Sequence, residues 1–278
     1  MRINPRLVDR WSGWSLNVLT WFAVGILAVI VVIIFVKGIA NVDLGFILKY
    51  PEDMGRHGGI FPSIIGTLLL VALSLVFATP LGIGTAIFLT EYTKETRFTT
   101  ILRFGVESLA GIPSIIYGLF GFIFFVIKLD MGWSLISGAL TMTIMILPTI
   151  IRTAEEAIKS VPRNFRMVSF SLGATRWETT IRVVLPSAAP GILTGIMLSV
   201  GRAVGETAAV IFTMGSSLRL PTSLMDSGRT MAVHFYILAR EGISMGNAYA
   251  TALVLVASIL GINILAYYIM NRVISRYS

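Results

Sequence analysis

The sequence predicts an all-α membrane protein in which six transmembrane helices cross the bilayer and both termini lie in the cytoplasm. Composition is the first sign: of 278 residues, 55% are hydrophobic and only 13% charged, well outside the range of soluble domains. Run length is the second. The hydrocarbon core is about 30 Å thick and a helix rises about 1.5 Å per residue, so a span needs about 20 apolar residues. Charge-free runs that long occupy 11–36, 58–90, 108–127, 131–151 and 242–271, and residues 190–214 make a sixth that encloses Arg202 and Glu206. The third sign is where the +8 net charge falls. With the termini inside, about twice as many Lys and Arg residues lie in the cytoplasm as outside, Arg2, Arg6, Arg10 and Arg276 among them. That is the positive-inside pattern. It fits a protein of the cytoplasmic membrane, in contact with lipid, and no nucleic-acid partner is expected.

Residues 1–17 read as a basic tail, and Trp11, Trp14 and Trp21 suit an interfacial belt leading into the first span, 15–37. That run is long and no small-residue cleavage site comes after it, so it reads as a retained span rather than a signal peptide. The next loop faces outward; its Glu52, Asp53 and His57 fit a solvated loop better than a metal site, which needs a defined ligand set. The second span, 62–90, exceeds one bilayer and holds Pro80, which kinks a helix without having to end it. Its surplus length is expected at the outer interface. The third span, 105–127, carries Pro113 and glycines that permit close helix contact. Ser114 and Tyr117 are candidates for a pathway lining or for packing between helices, and Glu107 is expected to snorkel or to pair with Arg103. A tight turn at 128–130 leads to the fourth span, 132–151. The fifth, 190–214, and sixth, 246–271, are separated by an outward loop, 215–245, whose Arg219, Arg229, His234 and Arg240 leave open a gate on the pathway, a docking place for an outside partner, or ordinary solvated charge. The whole chain, 1–278, is one transmembrane domain.

Between spans four and five lies a polar, basic stretch, 152–189. Ile158, Val161, Phe165, Val168 and Leu172 recur at helical spacing on one side. Pro162 and Gly173 punctuate it, which favours two short helices over one. Such an element either rests on the membrane surface or docks its apolar residues into a groove of a cytoplasmic partner.

Within the fifth span, Arg202 and Glu206 stand four apart and so share a helical face. A charge at the bilayer centre costs about 2.5–3.5 kcal/mol on insertion scales, so such residues face a bundle interior or a watery cavity. One reading is mutual neutralisation. The other gives Arg202 an oxyanion cargo, because guanidinium presents a planar fork matched to phosphate oxygens. Glu206 then orients that fork, and Thr207 adds a hydroxyl that either donates to the anion or back-bonds to its own helix. Gly201 and Gly205 have small-xxx-small spacing and predict close helix contact beside the pair.

The run Gly173-Ala174-Thr175-Arg176-Trp177, closing on Val183-Val184-Leu185-Pro186, resembles the "EAA" loop, E-A-A-x3-G-x9-I-x-L-P, of type I ABC-importer permeases. Registering on Gly173 and Leu185-Pro186 places the motif's glutamate at Met167, its alanines at Val168 and Ser169, and its isoleucine at Val183. The stretches 80–92, 110–121 and 201–213 are similar, in the same order, to phosphate-transport permeases of the PstA type. The resemblance implies the type I (MetI-like) fold, with Phe165, Met167, Val168, Leu172, Gly173, Leu185 and Pro186 forming a loop that docks on an ATPase. It also implies a PstC-like second permease, two PstB-like ATPase subunits and an external PstS-like phosphate-binding protein, with phosphate as cargo.

The residues agree with that division of labour. The chain has no cysteine, hence no thiolate metal site or cysteine nucleophile. It has neither the G-x4-G-K-[ST] cradle for nucleotide phosphates nor H-E-x-x-H. It is not expected to be an enzyme or to hold a cofactor; ATP belongs to a partner. A permease for another oxyanion, molybdate or sulfate, and a non-transporting membrane scaffold or sensor are the alternatives.

Overall fold

The computed structural model describes residues 5–274, the side chains of residues 5–12, 269–271 and 273–274 excepted. Arg2 and Arg276, and the side chains of Arg6, Arg10 and Trp11, lie outside the described residues. Five helices are long and apolar enough to cross a bilayer, and a bent pair of shorter ones makes six. In chain order they begin with α1 (Pro5–Gly38), then a short helix α2 (Leu44–Leu48) and a hairpin of β1 (Pro51–Glu52) with β2 (His57–Gly58). Next come α3 (Phe61–Ile87), α4 (Arg97–Ala110), α5 (Ser114–Gly121) and α6 (Leu135–Ser160). The cytoplasmic segment holds α7 (Arg163–Ser171) and α8 (Arg176–Thr179), and then come α9 (Leu185–Val204), α10 (Ala208–Thr213), α11 (Met231–Arg240) and α12 (Met245–Ile274). Three π-helical turns, Phe88–Tyr92, Phe122–Lys128 and Thr180–Val184, continue α3, α5 and α8.

The core is α6, packed between α3 and α9. Its Ala139, Met142, Met145, Ile146 and Ile150 are sealed together with Leu70 and Ala78 of α3 and Val210 and Met214 beyond α9. Lipid tails are as apolar as leucine, so helices in a membrane associate through close packing rather than hydrophobic drive. Gly191 and Gly195 of α9 supply that here, lying against Ala157 and Thr153 of α6; a Cβ at 191 would stand 2.6 Å from the Ala157 methyl. The contact expected at Gly201 and Gly205 is not made: a Cβ at 201 would meet nothing within 4 Å, and one at 205 only its own turn. Small-residue spacing recurs along this span, and a linear pattern does not say which face meets a neighbour.

Three further expectations are corrected. The third span, expected as one stretch at 105–127, is a pair of helices, α4 and α5, that meet at 99°. Pro113 has no N–H and clashes with a preceding helical turn, so α4 closes at Ala110 and α5 opens after the proline. Arg103 on α4 pairs with Glu155 of α6 (2.7 Å) and Glu95 (3.7 Å), not Glu107. The surplus length of the second span lies at its inner end, where Glu91 in the π-helical turn meets the cytoplasmic segment. Pro80 sits inside α3 without ending it.

The outward segments are folded. Asn247 of α12 donates to the carbonyls of Gly55 (3.1 Å) and Arg56 (3.0 Å), and the Thr67 hydroxyl accepts the Met231 N–H (2.9 Å). The 215–245 loop is not simply solvated. Thr230 caps α11, whose first four residues are buried, and Arg229 and His234 are only 5% and 1% exposed. His57 bonds Asp53 (3.1 Å) on the surface.

Candidate functional site

The fifth span breaks where its charges lie. α9 ends at Val204, Gly205 caps it, and α10 starts at Ala208. Residues four apart face each other only on a continuous helix. The backbone therefore separates Arg202 from Glu206, and no ion pair within 4.0 Å joins them. The carboxylate instead accepts the Ala209 N–H (3.2 Å), one of the amides left without a partner at the start of α10. Arg202 is half-buried in the last turn of α9, and no hydrogen bond or ion pair commits its guanidinium among the described residues.

Tyr117 is held inside the chain. The Tyr117 hydroxyl donates to the Leu109 carbonyl (2.6 Å), which pins the elbow between α4 and α5. Its ring is buried in the core, and Ser114 is the first residue of α5. α5 lies directly on α10: a Cβ at Gly118 would stand 2.9 Å from the Ala209 Cα, and one at Gly121 would collide with Thr141 and Thr213.

On the outer side of the break, a cleft of about 970 Å³ opens between α5, α10 and α11. Its walls are Ile115, Leu119, Phe122, Ile211 and Phe212; Trp133, Ser216, Ser217, Tyr236 and Arg240 also line it. The Arg240 guanidinium donates to the Tyr236 hydroxyl (2.9 Å) and lies over that ring. Thr207 is the one expected pathway residue in this lining; Arg202, Glu206, Ser114 and Tyr117 are not part of it. Tyr236 and Arg240 are hidden in the sequence because 215–245 reads there as a loop. Thr230 ahead of an apolar run is the helix-start signal that could have found them.

On the cytoplasmic side, α6 continues to Ser160, and Ser160-Val161-Pro162 turns the chain into α7. That turn divides the expected apolar stripe. Ile158 and Val161 are buried with Ala86, Val184 and Ala188, whereas Phe165, Met167, Val168 and Leu172 are exposed, as is Trp177. Gly173 terminates α7 at φ +84°, with its N–H bonded to the Phe170 carbonyl (3.0 Å) and that of Ala174 to the Ser169 carbonyl (3.2 Å). This two-bond helix stop needs a left-handed residue, which favours glycine. Glu178 closes a capping box on Thr175, and those backbone and hydroxyl bonds hold its carboxyl below the usual range. Leu185 starts α9 and packs on the buried cluster, and Pro186 follows it in the first turn, so they anchor the loop rather than present its surface.

Among the described residues no group of His, Asp and Glu is arranged to hold a metal. Residues 242–246 have G-x-S-x-G spacing, but Ser244 comes after a loop rather than a strand and accepts the Asn247 N–H (3.3 Å) at the start of α12.

Residues 78–278 match the family described as "Binding-protein-dependent transport system inner membrane component". Over 283 aligned positions the chain is 30% identical to the probable ABC transporter permease protein YqgI of Bacillus subtilis, covering 96% of each chain. It is 32% identical to the phosphate transport system permease protein PstA of Pasteurella multocida, covering 83% of this chain and 82% of that one. PstA 1 of Mycobacterium tuberculosis is 40% identical over 60% of this chain and 54% of its own. A solved bacterial alginate ABC transporter superposes with a TM-score of 0.68 at 16% identity, over 99% of both chains. The inward-facing MetNI methionine ABC transporter superposes with 0.61 at 18% identity, over 77% of this chain and 94% of that one. These likenesses show the fold.

Proposed function

The chain belongs to the family of inner membrane components of binding-protein-dependent transport systems, and from that premise we propose that it is the transmembrane subunit of an ATP-driven importer of inorganic phosphate. It is a multi-pass protein of the cytoplasmic membrane that works with an ATPase and a substrate-binding protein. The finer assignment is a PstC-like second permease, two PstB-like ATPases and a PstS-like phosphate-binding protein. Its support is the likeness to proteins named phosphate transport permeases.

The observation that carries the substrate reading is the uncommitted guanidinium of Arg202 beside a break in the fifth span. A helix break exposes backbone donors and acceptors, which membranes tolerate only inside protein or along a watery cavity. Glu206 satisfies one such donor locally, which leaves Arg202 free to offer its fork to a dehydrated oxyanion. Phosphate released outside enters past Thr207 and meets Arg202 at the break. ATP hydrolysis on the partner, received through Phe165, Met167, Val168 and Leu172, then turns the site inward.

Arg202→Ala tests this in reconstituted complexes. Hydrogen bonds to a charged group contribute about 1.5–3 kcal/mol each, so ATP-driven phosphate uptake should fall at least tenfold while the complex still assembles. Uptake at the wild-type rate would remove Arg202 from the pathway. Molybdate or sulfate competing as well as phosphate would transfer the assignment to another oxyanion.

A further inference from the structure

α7 has no acidic residue in Arg163–Ser171, yet its Arg166 is fully engaged with carboxylate and carbonyl oxygen from outside the helix. The guanidinium meets Glu91 side-on: Nε lies 3.1 and 3.3 Å from the two carboxylate oxygens, and Nη2 lies 2.6 Å from Oε1. Nη1 also donates to the Val161 carbonyl (2.8 Å) and Nη2 to the Ile158 carbonyl (3.0 Å). Those carbonyls stand at the end of α6, where a helix runs out of N–H partners. One side chain of α7 thus holds both the C-terminus of α6 and the inner end of α3.

The setting is more than a surface ion pair. The Arg166 and Glu91 side chains are 17% and 13% exposed, and a bidentate arginine–carboxylate contact fixes orientation as well as distance. Glu91 is carried in the π-helical turn Phe88–Tyr92; such a turn adds a residue to the helix and re-aims the side chains beyond it. α7 otherwise packs on the next segment of the chain, 176–184, with Ser169 bonded to Thr179 (2.8 Å). Its apolar side chains Phe165, Met167 and Val168 are exposed. A push on that outer face therefore has a short polar route inward, from α7 through one guanidinium to α3. α3 packs along α6, and α6 packs on α9, which carries Arg202.

We propose that the Glu91–Arg166 pair is the link that transmits movement of α7 to the membrane-spanning core, so that both are positioning residues for transport. The proposal rests on the importer reading above. It assigns the pair to force transmission and leaves ATPase docking to the exposed apolar face.

The test measures phosphate moved per ATP hydrolysed in vesicles holding the complete complex. Wild type comes first: ATP hydrolysis there without phosphate accumulation would overturn the importer reading itself. With wild type coupled, Glu91→Gln and Arg166→Gln should each retain the ATPase partner, hydrolyse ATP at or above the wild-type rate, and move at least tenfold less phosphate per ATP. The double variant should be no worse than either single one, because the two act as a unit. Arg166→Lys keeps the charge but not the fork, and should fall between. As a stability control, Val184→Ala loosens the buried root of the same loop; it should melt earlier with the ratio unchanged. An unchanged ratio in the Gln variants, or additive losses in the double, would overturn the link. So would loss of the ATPase from both, which would make the pair a folding element.

Discussion

His234 shows what a single residue's surroundings decide. An arginine only donates, so the contact from Arg229 Nη1 (3.3 Å) makes His234 Nδ1 an acceptor and puts the ring proton on Nε2. Burial, aided by the Arg229 charge, pushes the imidazole down to about 3, and burial alone pushes Arg229 down to about 10. A histidine whose pKa is lower folded than unfolded favours the native state fully above pH ~6.5 and loses that advantage as pH falls toward 3. Between those limits the loss is about 1.4 kcal/mol per pH unit. Thermal melts in detergent from pH 7 to 5 should therefore show falling stability, and His234→Gln should flatten the slope. An equal slope in wild type and variant would mean that other groups govern acid sensitivity. The sequence showed both residues but not their contact. Arg202 and Glu206 illustrate the same limit: their spacing was visible, and the break that separates them was not.

At the scale of elements, the cytoplasmic segment was legible because its signals are local. Pro162 excludes helix continuation, Gly173 supplies a left-handed stop, and Thr175 with Glu178 starts α8. The division of its apolar residues was not legible, since Ile158 and Val161 turn inward only once α9 lies against α6. Phe165 and Leu172, at 49% and 84% exposure, are left outside that cluster, where the proposed docking would use them as anchors. Central apolar anchors of an interface are worth about 2 kcal/mol or more each. Phe165→Ser with Leu172→Ser should thus weaken ATPase co-purification at least tenfold while the protein's own melting temperature stays nearly unchanged. Full retention of the ATPase with normal coupling would send the docking assignment elsewhere. The elbow of the third span was not read from the sequence, where Pro113 pointed only to close helix contact, and the Tyr117 bond to Leu109 that holds it depends on the bend already being made.

At the scale of the whole molecule, the chain is a bundle around α6 whose outer helices leave much apolar surface uncovered. α1 is the extreme case, with none of its most apolar window buried within the chain. Lipid or neighbouring subunits must cover such surface, because water would exact about 25 cal/mol for each Å² exposed. The chain also carries a membrane pathway without a nucleotide cradle. Reconstituted alone it should neither hydrolyse ATP nor accumulate phosphate, and both activities should appear on adding the proposed PstC-like permease, the ATPase and the binding protein. ATP hydrolysis by the purified chain would contradict this division of labour. What the sequence by itself determined is the membrane, the number of spans and the cytoplasmic loop, since these derive from run length, charge bias and residues that act on their own backbone. Only the tertiary structure decided which glycines touch, where the fifth span parts, and which carboxylate finds Arg166. Those outcomes depend on groups 75 residues apart or on separate helices, brought together by packing that no local pattern encodes.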